Sequence, residues 1–169
     1  MPRMLIFFFL FLMAFPSHLA ADETVPTRIS ADTMTYTQKS GTVEFSGQVQ
    51  VDREDFTLWS DRLTVEFDPQ GGRQGVGPVE VGGKVQKIVA EGQVRFSGQG
   101  REGQCGRAVY EDGPGVLTLT EDPFVQEGRN RIQGETIRLY LRENRSEVIG
   151  GQKRVEAIFH TPKRDAELP

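Results

Sequence analysis

The stretch GQVQVDREDFTLWSDRLTVEF (47–67) begins Gly-x-Val-x-Val and ends Leu-x-Val-x-Phe, and this alternating spacing returns twice more along the chain. Sliding residues 36–67 forward by 74 positions, without a gap, places Tyr36 on Tyr110 and Gly41 on Gly115. The same shift places Leu58 on Ile132, Asp61 on Glu135, and Leu63, Val65 and Phe67 on Ile137, Leu139 and Leu141. A shift of 45 places Gly47, Val49 and Val51 on Gly92, Val94 and Phe96; this copy is weaker because Leu58 falls on Gly103. Period-two alternation means strands with one apolar and one wet face. Val43, Phe45, Val49 and Val51 share one parity, and Glu44, Ser46, Gln48 and Gln50 the other. The parity changes between Leu58 and Leu63 and again between Ile132 and Ile137, which predicts a bulge or bend near Ser60-Asp61 and Gly134-Glu135. Turn chemistry separates the runs at Lys39-Ser40-Gly41, Asp52 to Asp55, Asp112-Gly113-Pro114-Gly115, Glu127 to Asn130 and Glu143-Asn144.

A hairpin with one apolar face is not stable singly; stacked in series, such hairpins bury a continuous interior. The expected fold is all-β, an elongated antiparallel jellyroll of two facing sheets, with about ten strands between Ile29 and Phe159. Its ends leave unpaired strand edges. ISADTMTY (29–36) is expected at one end, with Ile29, Met34 and Tyr36 as interaction candidates. RVEAIF (154–159) is expected at the other, with Val155, Ala157 and Phe159.

The first residues stand apart from this pattern. Arg3 precedes an apolar run of twelve, Met4 to Phe15, and small residues follow at Ala20 and Ala21. That layout reads as a secretory signal peptide over 1–21, since a spanning helix needs about 20 apolar residues. An uncleaved membrane anchor is the alternative. The folded domain is expected over 22–160 and a flexible tail over 161–169. Export places the domain outside the cytoplasm, yet the single cysteine, Cys105, allows no internal disulfide. Packing alone must therefore stabilise it, and Cys105 reads as a buried structural thiol.

Charge excludes some partners. The chain carries 20 basic and 24 acidic residues, and loss of Arg3 takes the net charge from −4 to −5. This argues against nucleic acid and against simple adsorption to an anionic membrane. The 19 glycines concentrate partly in PQGGRQGVGPVEVGG (69–83), which lacks the Gly-Lys-Ser/Thr ending of a phosphate-binding loop. It reads as a long loop with a short strand at Val79–Val81.

Chemistry is sparse. One histidine, His160, remains beyond the leader, too few for a zinc site or a fixed catalytic triad. Asp52, Glu54 and Asp55 cluster in one turn; paired carboxylates cleave glycosides or hold calcium, but a hairpin turn has the same composition. Asp61 and Glu135 recur at matching positions, which suggests a backbone-capping role. Arg129 with Arg131, and Lys153 with Arg154, suit a solvated rim or an anionic contact. No enzyme, cofactor or metal is expected.

The recurring feature is the apolar face itself. Its candidates in the first unit are Val43, Phe45, Val49, Val51, Leu58, Leu63, Val65 and Phe67. In the later units they are Val94, Phe96, Leu117, Leu119, Ile132, Ile137, Leu139 and Leu141. They form a core, or they line a groove that shelters an acyl chain. Each buried methylene gains about 0.8 kcal/mol, so a twelve-carbon chain gains on the order of 10 kcal/mol.

The serial order ISADTMTY, VEFSGQVQV, FTLWSDRLTVEF, and then VLTLTEDPFVQEGRNRIQGETIRLYLRENRSEV, resembles the OstA-like/LptA-like family of periplasmic lipopolysaccharide-transport proteins over residues 29–160. The resemblance implies a twisted β-jellyroll whose groove binds lipid A acyl chains. It implies edge-to-edge stacking into a bridge between inner and outer membranes, including a head-to-tail homo-oligomer. It implies an LptC-like inner-membrane partner at strand 29–36, the next jellyroll at strand 154–159, and an LptD-like outer-membrane partner. The 69–83 stretch is longer than the family pattern. An envelope scaffold with a sealed core, an anchored LptC-like component and a carboxylate hydrolase are the competing readings.

Overall fold

Twelve strands and no helix make up the described part of the computed structural model, which covers residues 26–54, 56–68, 84–152 and 154–161. Four of them are long: β3 (Thr42–Arg53), β4 (Phe56–Phe67), β5 (Val85–Gly98) and β6 (Arg101–Glu111). The others are short: β1 (Thr27–Ser30), β2 (Thr33–Thr37), β7 (Val116–Thr120), β8 (Phe124–Glu127), β9 (Asn130–Gln133), β10 (Thr136–Tyr140), β11 (Arg145–Ile149) and β12 (Glu156–Ile158). The count exceeds the expected ten because long runs divide at their corners. The leader 1–21, the expected strand Val79–Val81, Asp55, Lys153 and residues 162–169 lie outside the described residues.

All pairings are antiparallel, and the long strands serve two layers at once. In the first layer the order is β2-β3-β4-β5-β6-β7-β10-β11. In the second it is β1-β3-β4-β5-β6-β8-β9-β12. Each long strand bends midway and passes from one layer to the other. The ladders break register there, between Ser46 and Val49, between Trp59 and Arg62, and between Glu91 and Val94. The bend expected at Ser60-Asp61 is this corner. The bend expected at Gly134-Glu135 is the gap between β9 and β10.

The 74-residue shift reproduces this geometry. It carries the limits of β3 onto the start of β7 and the end of β8, and those of β4 onto the start of β9 and Leu141, one residue past β10. A pair of consecutive left-handed residues marks the corner in each unit: Gly47-Gln48, Gly92-Gln93 and Glu121-Asp122. In the first two the glycine accepts the positive φ without a Cβ clash. In the third the sequence supplies two acidic residues, and the strand ends there rather than bending through.

Acidic side chains cover the backbone at these corners. A Cβ at Gly92 would collide with the Asp61 carboxylate, and one at Gly47 with Asp32. The Asp32 N–H donates to the Gly47 carbonyl at 2.9 Å. Glu135 packs over Gly151 and accepts the Gln152 N–H at 2.9 Å. Of the two recurring acids, Glu135 caps a backbone N–H, and Asp61 packs over Gly92.

The core lies between the layers. Val49, Val94 and Cys105 from the second layer pack with Leu63, Val65, Ala90, Ala108, Leu119 and Ile137 from the first. Val94 and Leu119 are wholly buried. The outward face of the first layer is charged and self-compensating. Glu44 and Arg62 lie 3.3 Å apart, and Glu91 receives Arg107 at 3.0 Å.

Candidate functional site

Alternation along each strand and register between strands together place the apolar positions in continuous rows. One inward row crosses the whole second layer: Ile29, Val51, Leu58, Phe96, Gly103, Val125, Ile132 and Ala157 are successive partners. A facing row crosses the first: Met34, Phe45, Leu63, Ala90, Ala108, Leu119, Ile137 and Val148. A third runs beside it through Tyr36, Val43, Val65, Ile88, Tyr110, Leu117 and Leu139. The weak point of the 45-residue repeat, Gly103, has a packing reason. A side chain there would occupy the space of the Phe96 ring, its cross-strand partner.

The interior is not sealed throughout. Towards the hairpin ends opposite the corners the layers part, leaving a cleft of about 530 Å³. Pockets of roughly 300–1,000 Å³ are the size that takes up small ligands. Phe56, Leu58 and Phe96 line one wall, and Leu117, Leu119, Leu139 and Leu141 the other, with Ala108 behind. Leu141, 56% exposed, stands at the lip. A large apolar side chain so placed costs solvation unless something apolar covers it.

Of the sixteen interior candidates, Leu58, Phe96, Leu117, Leu119, Leu139 and Leu141 reach this cleft. Val43, Val49, Leu63, Val65, Val94 and Ile137 are buried in the packed interior. Phe45, Val51 and Phe67 pack against the core from its margin, and Ile132 is half-buried in its row. The sequence pattern could not divide these groups, because core and groove residues share one parity. Phe56 escaped the reading. It continues the parity of Leu58 and stacks on Phe96 with centroids 6.5 Å apart, a signal present in the alternation.

The edge candidates fall on terminal strands. Ile29 lies in β1, and Met34 and Tyr36 in β2; among the described residues both strands pair with β3 alone. Ala157 lies in β12, which pairs with β9 alone, whereas Val155 and Phe159 flank that strand, exposed at 43% and 66%. The expected strand over 154–159 thus shortens to Glu156–Ile158. A second open edge at the same end, β11, was not expected; among the described residues it pairs with β10 alone.

Charged groups at the first-layer lip are tied to the backbone. The Arg142 guanidinium donates to the carbonyls of Asp112 at 2.6 Å and Gly113 at 2.8 Å, pinning the turn between β6 and β7. Lys84 lies 3.0 Å from Asp112, and its hydrogen bond holds that carboxyl below the usual carboxylate range. Cys105, between the layers, has its thiol pushed up to about 11, first by burial and further by the Glu121 charge. A thiol so held is not a nucleophile. Among the described residues, no group of three or more His, Cys, Asp or Glu is placed to hold a metal ion.

Residues 28–145 match the model of one protein family, LptA/(LptD N-terminal domain) LPS transport protein. No curated protein matches the sequence. Among solved structures, the chain is similar to LptH from Pseudomonas aeruginosa, described as the LptA homologous periplasmic component of the conserved lipopolysaccharide transport device. The two superpose with a TM-score of 0.64 at 14% identity, over 80% of this chain and 96% of that one.

Proposed function

Since the chain belongs to the LptA/LptD N-terminal-domain family of LPS transport proteins, a transport family and not an enzymatic one, we propose that it is a periplasmic carrier that shelters lipid A acyl chains in its cleft. The observation that carries this reading is the divided interior. One part of the apolar face is packed core, and the other opens as a cleft whose lining, Leu139 and Leu141 included, reaches solvent. A scaffold with a sealed core has no use for such an opening. Acyl methylenes moved from water onto this lining gain about 0.8 kcal/mol each when fully covered.

We propose further that the chain stacks end to end between an LptC-like partner and an LptD-like one. Both layers hold an even number of strands, eight in each of the two orders. Strand directions alternate, so β1 of a following copy would run antiparallel to β12, and β2 antiparallel to β11. The inward rows would then continue across the junction, Ile29 after Ala157 and Met34 after Val148. Cleavage of a leader over 1–21 delivers the 22–160 domain to the periplasm in this reading.

Photocrosslinking in envelope preparations tests the carrier. A probe at Leu139 points into the cleft, and a probe at Arg138, its neighbour, points outward beside Glu147. Lipopolysaccharide adducts are expected at 139 and not at 138. Adducts at neither position, in folded variants, would return the interior to an ordinary core.

A further inference from the structure

The inward row nearest the hairpin ends of the second layer changes character. Successive partners there are Arg53, Phe56, Gly98 and Arg101. These positions keep the parity of Val51, Leu58, Phe96 and Gly103, so by alternation they face the interior. Arginine at an inward position suits neither a packed core nor a solvated face. It suits a lip, where the stem lies on apolar surface and the guanidinium reaches water. Both arginines line the mouth of the cleft, on either side of Phe56.

The charge balance at this mouth runs against that of the molecule. The chain is net −4, yet the charged residues lining the cleft are Arg53, Arg101 and Glu54. The partners of the two arginines leave them free to bind. Arg101 meets Glu127 at 3.1 Å, an ion pair with both side chains 62% exposed, which water and salt weaken. Arg53 makes no ion pair with any described residue. On the opposite lip Arg142 is committed to the 112–113 carbonyls. Three strand spacings separate Arg53 from Arg101, about 14 Å between backbones, a gap their side chains can close over one headgroup. Guanidinium groups match phosphate oxygens with paired N–H donors.

We infer that Arg53 and Arg101 form a phosphate-recognising clamp at the cleft mouth, which seats the anionic headgroup of a phosphorylated lipid whose acyl chain lies along Phe56, Leu58 and Phe96. This rests on the acyl-cleft reading above and adds to it the orientation of the lipid, head at the second-layer lip and tail inward. An amphiphile held at both ends binds in one direction. Apolar contact alone leaves it free to slide or reverse.

Binding of three probes to the mature chain tests this: dodecyl phosphate and dodecyl maltoside, each below its micellar concentration, and inorganic phosphate. The comparison is with R53Q/R101Q, which keeps much of each stem. The clamp predicts at least a tenfold loss of dodecyl phosphate affinity in the variant, and dodecyl maltoside held within about threefold. Circular dichroism and an unchanged melting midpoint establish that the variant folds. Equal dodecyl phosphate affinity in the two chains overturns the clamp while leaving the cleft standing. Inorganic phosphate bound as tightly as dodecyl phosphate, and lost in the variant, makes this a free-anion site and overturns the lipid assignment. Binding of neither alkyl probe by the wild-type chain removes the acyl cleft and the clamp together.

Discussion

Cys105 shows how one position can be read and then sharpened. Its place in the alternation marks it as interior, and its neighbours across the ladder confirm the burial: it pairs with Val94 and is 3% exposed. Burial opposes the thiolate, so the folded pKa stands near 11 against 9.0 for the free group. A thiol raised in this way binds its proton more tightly when folded. Its contribution to stability is therefore complete below about pH 9 and is lost as the pH rises towards 11. The expected outcome is that the denaturation midpoint falls between those pH values, and that a Cys105→Ser variant falls less over the same window. Native chain should also resist iodoacetamide at pH 8 and react in guanidinium. Arg53 and Arg101 are not legible as a pair in the alternation, since their proximity depends on two hairpins lying side by side.

At the scale of the element, the corner explains most of the repeat. A strand that crosses between layers must bend without losing its partners. The chain solves this with a left-handed pair in one strand facing a single acidic residue or glycine in the next. Gly92 combines both demands, with φ near 77° and no room for a Cβ beside Asp61. Gly92→Ala should cost about 2 kcal/mol from the strained backbone and displaced carboxylate. Urea denaturation checks this; Gly113→Ala, where a Cβ meets nothing within 4 Å, serves as the control. The alternation and the parity change made these corners legible in β4. They were not legible in β3 and β5, where the apolar parity runs straight through Gly47 and Gly92.

At the scale of the molecule, the consequential fact is that, among the described residues, both ends are open in both layers. β1 and β2 at one end, and β11 and β12 at the other, each have a single partner strand among those residues. Unpaired edges are templates for further strands. In a head-to-tail pair the Met34 row meets the Val148 row. A chain carrying both Met34→Cys and Val148→Cys should therefore form disulfide-linked ladders under mild oxidation, while either single variant should not form ladders. Monomers alone from the double variant, at high protein concentration, would reject this register. The mid-strand exposure of Met34, 46%, is what such a contact would cover.

Period-two alternation with turn residues at fixed intervals by itself determined an antiparallel β fold with one apolar face, because in a strand parity is a local property. It marked most of the inward set, from Val43 to Leu141 but without Phe56, and it marked the segments 29–36 and 154–159 as edges. It also determined that catalytic chemistry is sparse, since residue types can be counted without a fold. Only the tertiary structure decided which inward residues are core and which are cleft. That depends on the separation of two layers, and strand parity carries no information about the third dimension. The same holds for the arginines at the mouth and for the second open edge at β11, each of which exists through neighbours far away in the chain.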